Sequence, residues 1–328
     1  MNVIELMAKE KNKEKKKKYQ KEIDNIQLKH WNKVRDCDVI ITSSSRPELL
    51  ELTLKYFEIY IHFYGNFRFI LNEDFVLKDE SKKLIEWAKN SCYFKDEDIY
   101  SNDPPLGLDK SLISLIEKVN TPFCLYLQDD WVFERPIELD KAMYIMEHLN
   151  NVNNILFYKS TIPEMKDGVR HREYYFTQFP QHLTLSYSWE LMPGLWRTEF
   201  IKEKIYEAMK DKKRRTAPAK ITHCLRPSEK RDDPDYLYDN MGVFYWGSWG
   251  EPRYCRHIGE NARMESWRMT EDGKPGKENT TQENNAINNM ARWIPFEHIP
   301  LIEGRNSVKI MKEAMLKRKK RNEKKNGL

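Results

Sequence analysis

Three short apolar runs, each ended by polar residues, constrain the fold of this chain more than any other feature. They occupy residues 39–41, 67–71 and 123–127, and their length and their β-branched and aromatic content are typical of buried strands. The stretches between them repeat leucine and isoleucine at helical spacing and predict helices at residues 48–60, 81–91 and 109–119. Strands that alternate with helices predict an α/β fold with a mostly parallel sheet flanked by helices.

The polar residues that follow the runs are the first candidates for function. Thr42 and three serines follow the first run, Asn72-Glu73-Asp74 follows the second, and Gln128-Asp129-Asp130 follows the third. In open α/β sheets, ligands bind in the crevice beyond the carboxyl ends of the strands. We therefore expect the three polar groups to converge on one crevice.

The adjacent carboxylates Asp129 and Asp130 are the strongest single signal. Hard divalent cations such as Mg²⁺ or Mn²⁺ prefer carboxylate and phosphate oxygens, and a metal held at a strand end can neutralise a diphosphate leaving group. The alternative is a structural pair that caps a helix or forms salt bridges at the surface.

The order of several segments resembles the GT-A glycosyltransferases, in particular family 2-like members, over residues 36–260. The segments are Asp38-Val39-Ile40-Ile41-Thr42-Ser43-Ser44-Ser45-Arg46-Pro47, Gly107-Leu108-Asp109-Lys110-Ser111-Leu112, Gln128-Asp129-Asp130, Met192-Pro193-Gly194-Leu195-Trp196-Arg197 and Arg256-His257-Ile258-Gly259. The resemblance implies a GT-A type (Rossmann-like) domain, a nucleotide-sugar donor such as a UDP-sugar, and Mn²⁺ or Mg²⁺ as cofactor.

The resemblance also implies roles for individual residues. Thr42, Ser44 and Arg46 would line the nucleotide, Asp74 would face the base or ribose, and Lys110 would approach the donor sugar or diphosphate. Asp130 would hold the metal, Asp129 would face the ribose or sugar, and His257 would be a further metal or diphosphate ligand. Gln128 departs from the pattern, because family members usually carry an acid there, and its missing charge predicts a weaker metal site.

Inverting transfer needs a general base that deprotonates the acceptor hydroxyl. The acids after the metal motif that can serve are Glu190, Glu229, Asp232 and Asp233. Because the resemblance places the base in an acidic loop after the Pro-Gly-Leu segment, Glu229 and Asp232 are favoured. The alternative for each is an ordinary surface carboxylate, and a retaining mechanism would remove the assignment.

The chain divides by composition into three parts. Residues 1–33 predict a charged helical extension, residues 34–262 the GT-A domain, with a nucleotide-sugar half (34–135) and an acceptor half (136–262), and residues 263–328 a C-terminal extension with a basic helix. Within the acceptor half we predict strands at 157–161 and 183–189, a helix at 199–210 and a polar loop at 212–235.

Both extensions carry lysine clusters, although the net charge of the whole chain is only +5. Such clusters are either solvated helical ends or contacts to a polyanion such as nucleic acid. A modified DNA base as the acceptor fits the second interpretation, and a glycan acceptor fits the family that the chain resembles. The chain contains no apolar run of about 18 residues, and its start lacks a signal-peptide pattern. We therefore expect a cytoplasmic protein, and the Lys, Asn and Ile bias fits a viral source.

Two other functions compete with glycosyl transfer. A nucleotidyl-handling enzyme usually has a glycine-rich phosphate loop after its first strand, and residues 42–47 contain no glycine. A non-enzymatic nucleic-acid-binding protein would explain the lysines but not the acidic pair. Several aromatic residues can either form core or stack on a sugar or base: Trp189, Trp196, Tyr245, Trp246 and Trp249.

Overall fold

The computed structural model of the chain describes residues 35–158, 173–176, 181–210, 217–230, 233–248, 251 and 253–258. The predicted extensions lie outside these residues. The strands are β1 Asp36–Ser43, β2 Ile61–His62, β3 Asn66–Asp74, β4 Phe94–Asn102, β5 Phe123–Gln128, β6 Trp131–Phe133, β7 Ile137–Glu138, β8 Asn154–Leu156, β9 Glu173–Phe176, β10 Gln181–Leu185, β11 Gly194–Arg197, β12 Val243–Trp246 and β13 Cys255–His257. The α-helices are α1 Pro47–Tyr60, α2 Lys78–Asn90, α3 Leu108–Lys118, α4 Leu139–His148, α5 Thr198–Phe200, α6 Tyr206–Met209, α7 Ala217–Leu225 and α8 Pro234–Asn240.

Nine of these strands form one sheet in the order β4-β3-β1-β5-β11-β8-β12-β10-β9. The strands β4, β3, β1 and β5 are mutually parallel, and β8 and β12 form a second parallel pair. The strand β11 joins these two groups by pairing antiparallel with both β5 and β8. The sheet is therefore mainly parallel with helices between its strands, which confirms the predicted α/β fold class.

The first strand–helix unit shows how the sequence makes this layer. Residues 39–41 of β1 are fully buried, as a strand covered on both faces requires. Pro47 opens α1, where its missing N–H removes no helix bond, and Leu50 and Leu54 of α1 are fully buried. The predicted helices 48–60, 81–91 and 109–119 are confirmed as α1, α2 and α3.

Two strands predicted after residue 150 differ in the structure. The strand predicted at 157–161 is not found at residues 157 and 158, and residues 159–161 lie outside the described residues. The neighbouring strand β8 ends at Leu156, since the Phe157 N–H bonds the carbonyl of Pro193 and a proline has no N–H with which to extend the ladder. The strand predicted at 183–189 is β10, which ends at Leu185. There the Ser186 hydroxyl turns the chain by accepting the N–H of residue 188 at 3.3 Å.

The polar loop predicted at 212–235 was wrong, because this range contains α7 and the first two residues of α8. Ala217, Ile221 and Leu225 recur every fourth residue and are buried, so they form the inner face of α7. The helix predicted at 199–210 is present as α5, a π-helical turn at Ile201–Ile205, and α6.

The strands β1, β3 and β5 end at one edge of the sheet, here called the carboxyl edge. The strand β11 begins at this edge, since Gly194 pairs with Tyr126 near the end of β5. A Cβ at Gly194 would lie 3.0 Å from the Ile155 carbonyl oxygen, so the close pairing favours glycine. Among the described helices, none combines the length and the apolar character needed to cross a membrane.

Candidate functional site

The turn that follows β5 is held by hydrogen bonds to two neighbouring elements. The Asp129 N–H donates to the Thr42 carbonyl at 3.2 Å, which ties the turn to the end of β1. The Thr53 hydroxyl of α1 donates to the Asp129 carbonyl at 2.9 Å and accepts from the Trp131 N–H at 3.2 Å. Asp129 and Asp130, here called the acidic pair, are therefore fixed at the carboxyl edge with exposed fractions of only 0% and 5%.

Arg46 lies across the acidic pair. Its Nε donates to Asp129 Oδ2 at 3.0 Å, its Nη2 donates to Asp129 Oδ1, and its Nη1 donates to Asp130 Oδ2 at 2.8 Å. Asp129 Oδ2 also accepts from the Ser43 hydroxyl and the Ser44 N–H, both at 3.1 Å. Both oxygens of Asp129 are thus used, whereas Asp130 Oδ1 is buried and has no hydrogen-bond partner among the described residues.

The strand β13 brings His257 to the same place. It pairs antiparallel with β6 so that His257 lies opposite Trp131, with the two ring centroids 4.7 Å apart. The Ile258 N–H donates to the Asp130 carbonyl at 2.8 Å, and His257 Nε2 lies 3.0 Å from Asp130 Oδ2. The structure therefore brings together residues from three distant parts of the sequence: Arg46, the acidic pair and His257.

The charges in this cluster perturb one another. Burial by itself would raise the pKa of Asp130, but His257 and Arg46 outweigh burial and hold that pKa well below its usual range. Burial raises the pKa of Asp129 despite the attraction of Arg46. Burial opposes the charge on Arg46, but the two carboxylates raise its pKa further above the usual value. The guanidinium and Asp130 are consequently held in their charged forms.

The buried acid Glu73, one of the polar residues that follow the second apolar run, supports the loop that carries Arg46. Its Oε1 accepts from the Ser45 N–H and from the Ser81 hydroxyl, both at 2.7 Å. Ser45 has a φ of 57°, a left-handed conformation that is uncommon outside glycine, and its hydroxyl accepts from the Leu77 N–H at 2.8 Å. Burial raises the pKa of Glu73 to about 7, although hydrogen bonds from Ser81 and Ser45 oppose the shift.

Asp74 anchors the start of α3. Its carboxylate accepts from the N–H groups of Leu106 and Gly107, at 3.2 and 2.8 Å, from the Ser111 hydroxyl at 3.0 Å, and from a side-chain amide at 3.0 Å. Lys110 lies in the first turn of α3 and is exposed. The expected contacts of Asp74 with a base or ribose, and of Lys110 with the donor, stay predictions.

Gln128 and Thr42 lie side by side on one face of the sheet, because they are register partners on β5 and β1. The Tyr126 hydroxyl lies 3.2 Å from the Thr42 hydroxyl and accepts from Gln128 Nε2 at 3.1 Å. Gln128 Oε1 accepts from the Trp131 indole N–H at 3.2 Å. An amide can be donor and acceptor at once, which an ionised carboxylate cannot, and this accounts for glutamine where the resemblance expects an acid.

The candidates for the general base are placed unevenly. Glu229 is exposed on a short 3₁₀ turn, and Asp232 lies outside the described residues. Asp233 caps α8 by accepting the Tyr236 N–H at 3.1 Å, and this bond together with Lys230 lowers the pKa of Asp233. The choice between Glu229 and Asp232 stays a prediction.

The described tryptophans after residue 136 belong to the core. Trp189 and Trp196 are fully buried, and Trp246 is almost so. Trp196 stacks on Tyr126 with centroids 4.5 Å apart, which supports the sheet under the carboxyl edge. Glu190, the remaining candidate base, accepts from a serine hydroxyl at 2.5 Å. Of the five aromatic candidates for stacking, Tyr245 is partly exposed and Trp249 lies outside the described residues.

The residues at the acidic pair fit a divalent cation. Asp130 Oδ1 is a buried oxygen without a partner in the described part of the chain, and His257 adds an imidazole nitrogen beside the same carboxylate. Mg²⁺ and Mn²⁺ sites commonly use one or two protein ligands and complete the shell with phosphate oxygens and water. Within the described ranges, no three or more His, Cys, Asp or Glu residues form a ready metal cage, so phosphate and water would have to complete the shell.

No protein-family model matches this sequence, and no curated protein matches it either. Solved structures do match. TarS 1–349 from S. aureus has 13% identity and a TM-score of 0.43, with 71% of this chain and 63% of that chain covered. The same TarS fragment has been solved with UDP and with UDP-GlcNAc.

Two further matches come from other organisms. The mannosyltransferase PcManGT from Pyrobaculum calidifontis, solved with GDP-Man and Mn²⁺, has 8% identity and a TM-score of 0.42, with 72% of this chain and 62% of that chain covered. The glycosyltransferase GlyE from Streptococcus pneumoniae TIGR4 has 13% identity and a TM-score of 0.35, with 59% and 43% covered. The chain thus spans less than two thirds of the length of each of these proteins.

Proposed function

We propose that this chain is a GT-A type glycosyltransferase that moves a hexosyl or pentosyl group from a nucleotide-diphosphate sugar to an acceptor hydroxyl. The observation that carries the proposal is the cluster of Arg46, Asp129, Asp130 and His257 at the carboxyl edge of a mainly parallel sheet. Ligands of such sheets bind at this edge. Carboxylates for a metal and a cation for phosphate lie there together, as a nucleotide diphosphate requires.

The donor side of the proposed site is built on β1 and α3. Thr42, Ser44 and Arg46 line the nucleotide, in our proposal, with the planar guanidinium of Arg46 suited to two phosphate oxygens. Asp129 orients the ribose or the sugar. Asp74 and Lys110 complete the donor side, Asp74 by fixing the start of α3 and Lys110 by its exposed ammonium near the diphosphate. We favour a UDP-sugar as the donor.

The proposed metal ligands are Asp130 and His257, with Mn²⁺ or Mg²⁺ as the cation. When bound, the cation supplies positive charge that stabilises the departing diphosphate. The chain's own contribution is to hold Asp130 in its ionised form before a cation arrives, since His257 and Arg46 keep its pKa low. Burial of the pair excludes water, which strengthens each charge interaction.

The proposed transfer inverts the anomeric carbon. A carboxylate, Glu229 or Asp232, takes the proton of the acceptor hydroxyl, and the oxygen of that hydroxyl forms the new bond to the anomeric carbon. The bond from that carbon to the diphosphate oxygen breaks at the same time, and the nucleoside diphosphate leaves with the electron pair. The acceptor is a glycan or a hydroxyl on a modified DNA base.

The test is donor binding and turnover by the full chain and by Asp130→Asn. We expect nucleotide-sugar binding, measured by titration calorimetry, to require Mn²⁺ or Mg²⁺ in the wild type. In Asp130→Asn we expect it to weaken by at least about tenfold, because a hard anionic ligand is lost. Hydrolysis of a panel of nucleotide-sugars, followed by mass spectrometry of treated glycans and DNA, identifies the sugar and the acceptor.

A matched control is Asp38→Asn. Asp38 is also a buried aspartate paired with an arginine, Arg68, at 2.9 Å, but it lies at the opposite edge of the sheet. We expect this variant to lose stability and to keep donor affinity. Equal loss of donor binding in both variants, or full turnover by Asp130→Asn, would contradict the proposed site.

A further inference from the structure

Arg46 uses the same carboxylate that a divalent cation would need. Its Nη1 lies 2.8 Å from Asp130 Oδ2, and its other two nitrogens hold Asp129. His257 Nε2 lies 3.0 Å from the same Asp130 oxygen. A cation bound by Asp130 and His257 would therefore share one carboxylate with a guanidinium in contact, and the two positive charges would repel each other.

The charges of Arg46, Asp129 and Asp130 also indicate that the guanidinium and a divalent cation compete. One guanidinium between two carboxylates leaves a single net negative charge in the trio of Arg46, Asp129 and Asp130. Without the guanidinium, Asp129 and Asp130 together carry two negative charges. Cation affinity rises with the charge count of the ligands, so the trio with Arg46 in place is a poor metal site and the pair without it is a good one.

We infer that Arg46 is the resident counter-cation of the acidic pair and that a divalent cation binds Asp130 when the guanidinium leaves it. The inference rests on the proposed metal ligands Asp130 and His257, and goes further by making Arg46 the residue that sets metal affinity. The metal and Arg46 alternate at Asp130, and the displaced guanidinium is free for a diphosphate, whose paired oxygens suit its fork.

The backbone of the loop that carries Arg46 is held in place by hydrogen bonds. The loop is fixed by the Glu73 bond to the Ser45 N–H and by the Ser44 N–H bond to Asp129. The Arg46 side chain is 16% exposed, against 1% for that of Asp129. The Arg46 side chain therefore has the largest exposed fraction of the trio, since that of Asp130 is 7% exposed.

The test measures Mn²⁺ binding alone, by electron paramagnetic resonance of free Mn²⁺, so that it needs no sugar donor and no turnover. We expect Arg46→Gln to bind Mn²⁺ at least about tenfold more tightly than the wild type. Arg46→Lys, which keeps a charge but loses the fork, should fall between the two. In Arg46→Gln, Mn²⁺ should also raise the Tm more than in the wild type, since a tighter ligand stabilises the folded state more.

Two controls separate the outcomes. Arg68→Gln breaks a different arginine–aspartate pair, at the opposite edge, and should leave Mn²⁺ affinity unchanged. The double variant that combines Arg46→Gln with Asp130→Asn should lose the gain in Mn²⁺ affinity. Unchanged or weaker Mn²⁺ binding in folded Arg46→Gln, or in Arg46→Lys if the glutamine variant fails to fold, overturns the inference. Failure to bind any nucleotide-sugar, with the Mn²⁺ gain intact, overturns the proposed function and leaves the role of Arg46 standing.

Discussion

Replacing the buried Glu73 by glutamine is expected to be more favourable for the stability of the fold at neutral and alkaline pH than at acid pH. The pKa of Glu73 is raised from 4.5 to about 7 by burial, a shift of about 2.5 units at about 1.4 kcal/mol each. A raised carboxyl pKa means that the folded state prefers the protonated form. Glu73 therefore does not lower the free energy of unfolding below pH 4.5. Its ionisation in the unfolded state lowers that free energy by up to about 3 kcal/mol as the pH rises through 7.

Glutamine keeps an oxygen for the Ser45 N–H and the Ser81 hydroxyl and carries no charge to bury. The stability of Glu73→Gln relative to the wild type, measured by urea unfolding, should therefore rise by about 3 kcal/mol between pH 4.5 and pH 8. The amide –NH₂ that replaces the unpartnered Oε2 lowers the stability of the variant by the same amount at both pH values. The matched control is Glu86→Gln, the same change at an exposed site in α2, which should show no such rise. A relative stability of Glu73→Gln that is the same at both pH values, with equal m-values, would refute the reasoning.

Two other substitutions test how the turn of the acidic pair is held. Thr53→Val leaves the Asp129 carbonyl and the Trp131 N–H without their shared hydroxyl and should cost about 1–3 kcal/mol in urea unfolding; Thr53→Ser keeps the hydroxyl, and an equal loss there would show that the methyl group matters instead. Gln128→Leu removes both bonds of the amide, to the Tyr126 hydroxyl and the Trp131 indole, and should cost a similar amount, whereas a stability equal to the wild type would mean that water replaces the amide.

The convergence of the site was predictable because it follows from strand order. Parallel strands end at one edge, so polar groups after the runs 39–41, 67–71 and 123–127 had to meet once the runs were strands of one sheet. His257 was found from the resemblance alone, since nothing in its short strand indicates that β13 pairs with β6. The α7 helix was missed because its apolar positions are embedded in lysines and prolines.

The hydrogen-bond partners inside the site were less predictable, because the same amino-acid sequence is compatible with several arrangements of the side chains. From the sequence we expected Arg46 to contact a ligand, and the structure pairs it with both aspartates. Thr53 looks like an exception on an apolar helix face, and only the position of the turn shows why a hydroxyl is needed there. Glu73 and Ser45 could be placed at strand ends from the sequence, but their contact could not, since a left-handed serine and a buried acid that holds its N–H depend on tertiary contacts.

The antiparallel strand β11 has a consequence for how the protein is made. All partners of β1, β3 and β4, and one side of β5, lie within residues 36–128, so this part of the sheet can form early during synthesis at about 5–20 residues per second. The other side of β5 is covered only when Gly194–Arg197 leaves the ribosome. For several seconds the nascent chain therefore presents an open apolar strand, Phe-Cys-Leu-Tyr-Leu-Gln, that can pair with another chain. We expect the yield of folded protein to depend on temperature and on chaperones, because β5 stays unpaired on one side during this time. The strand β5 is also the one that leads into the acidic pair.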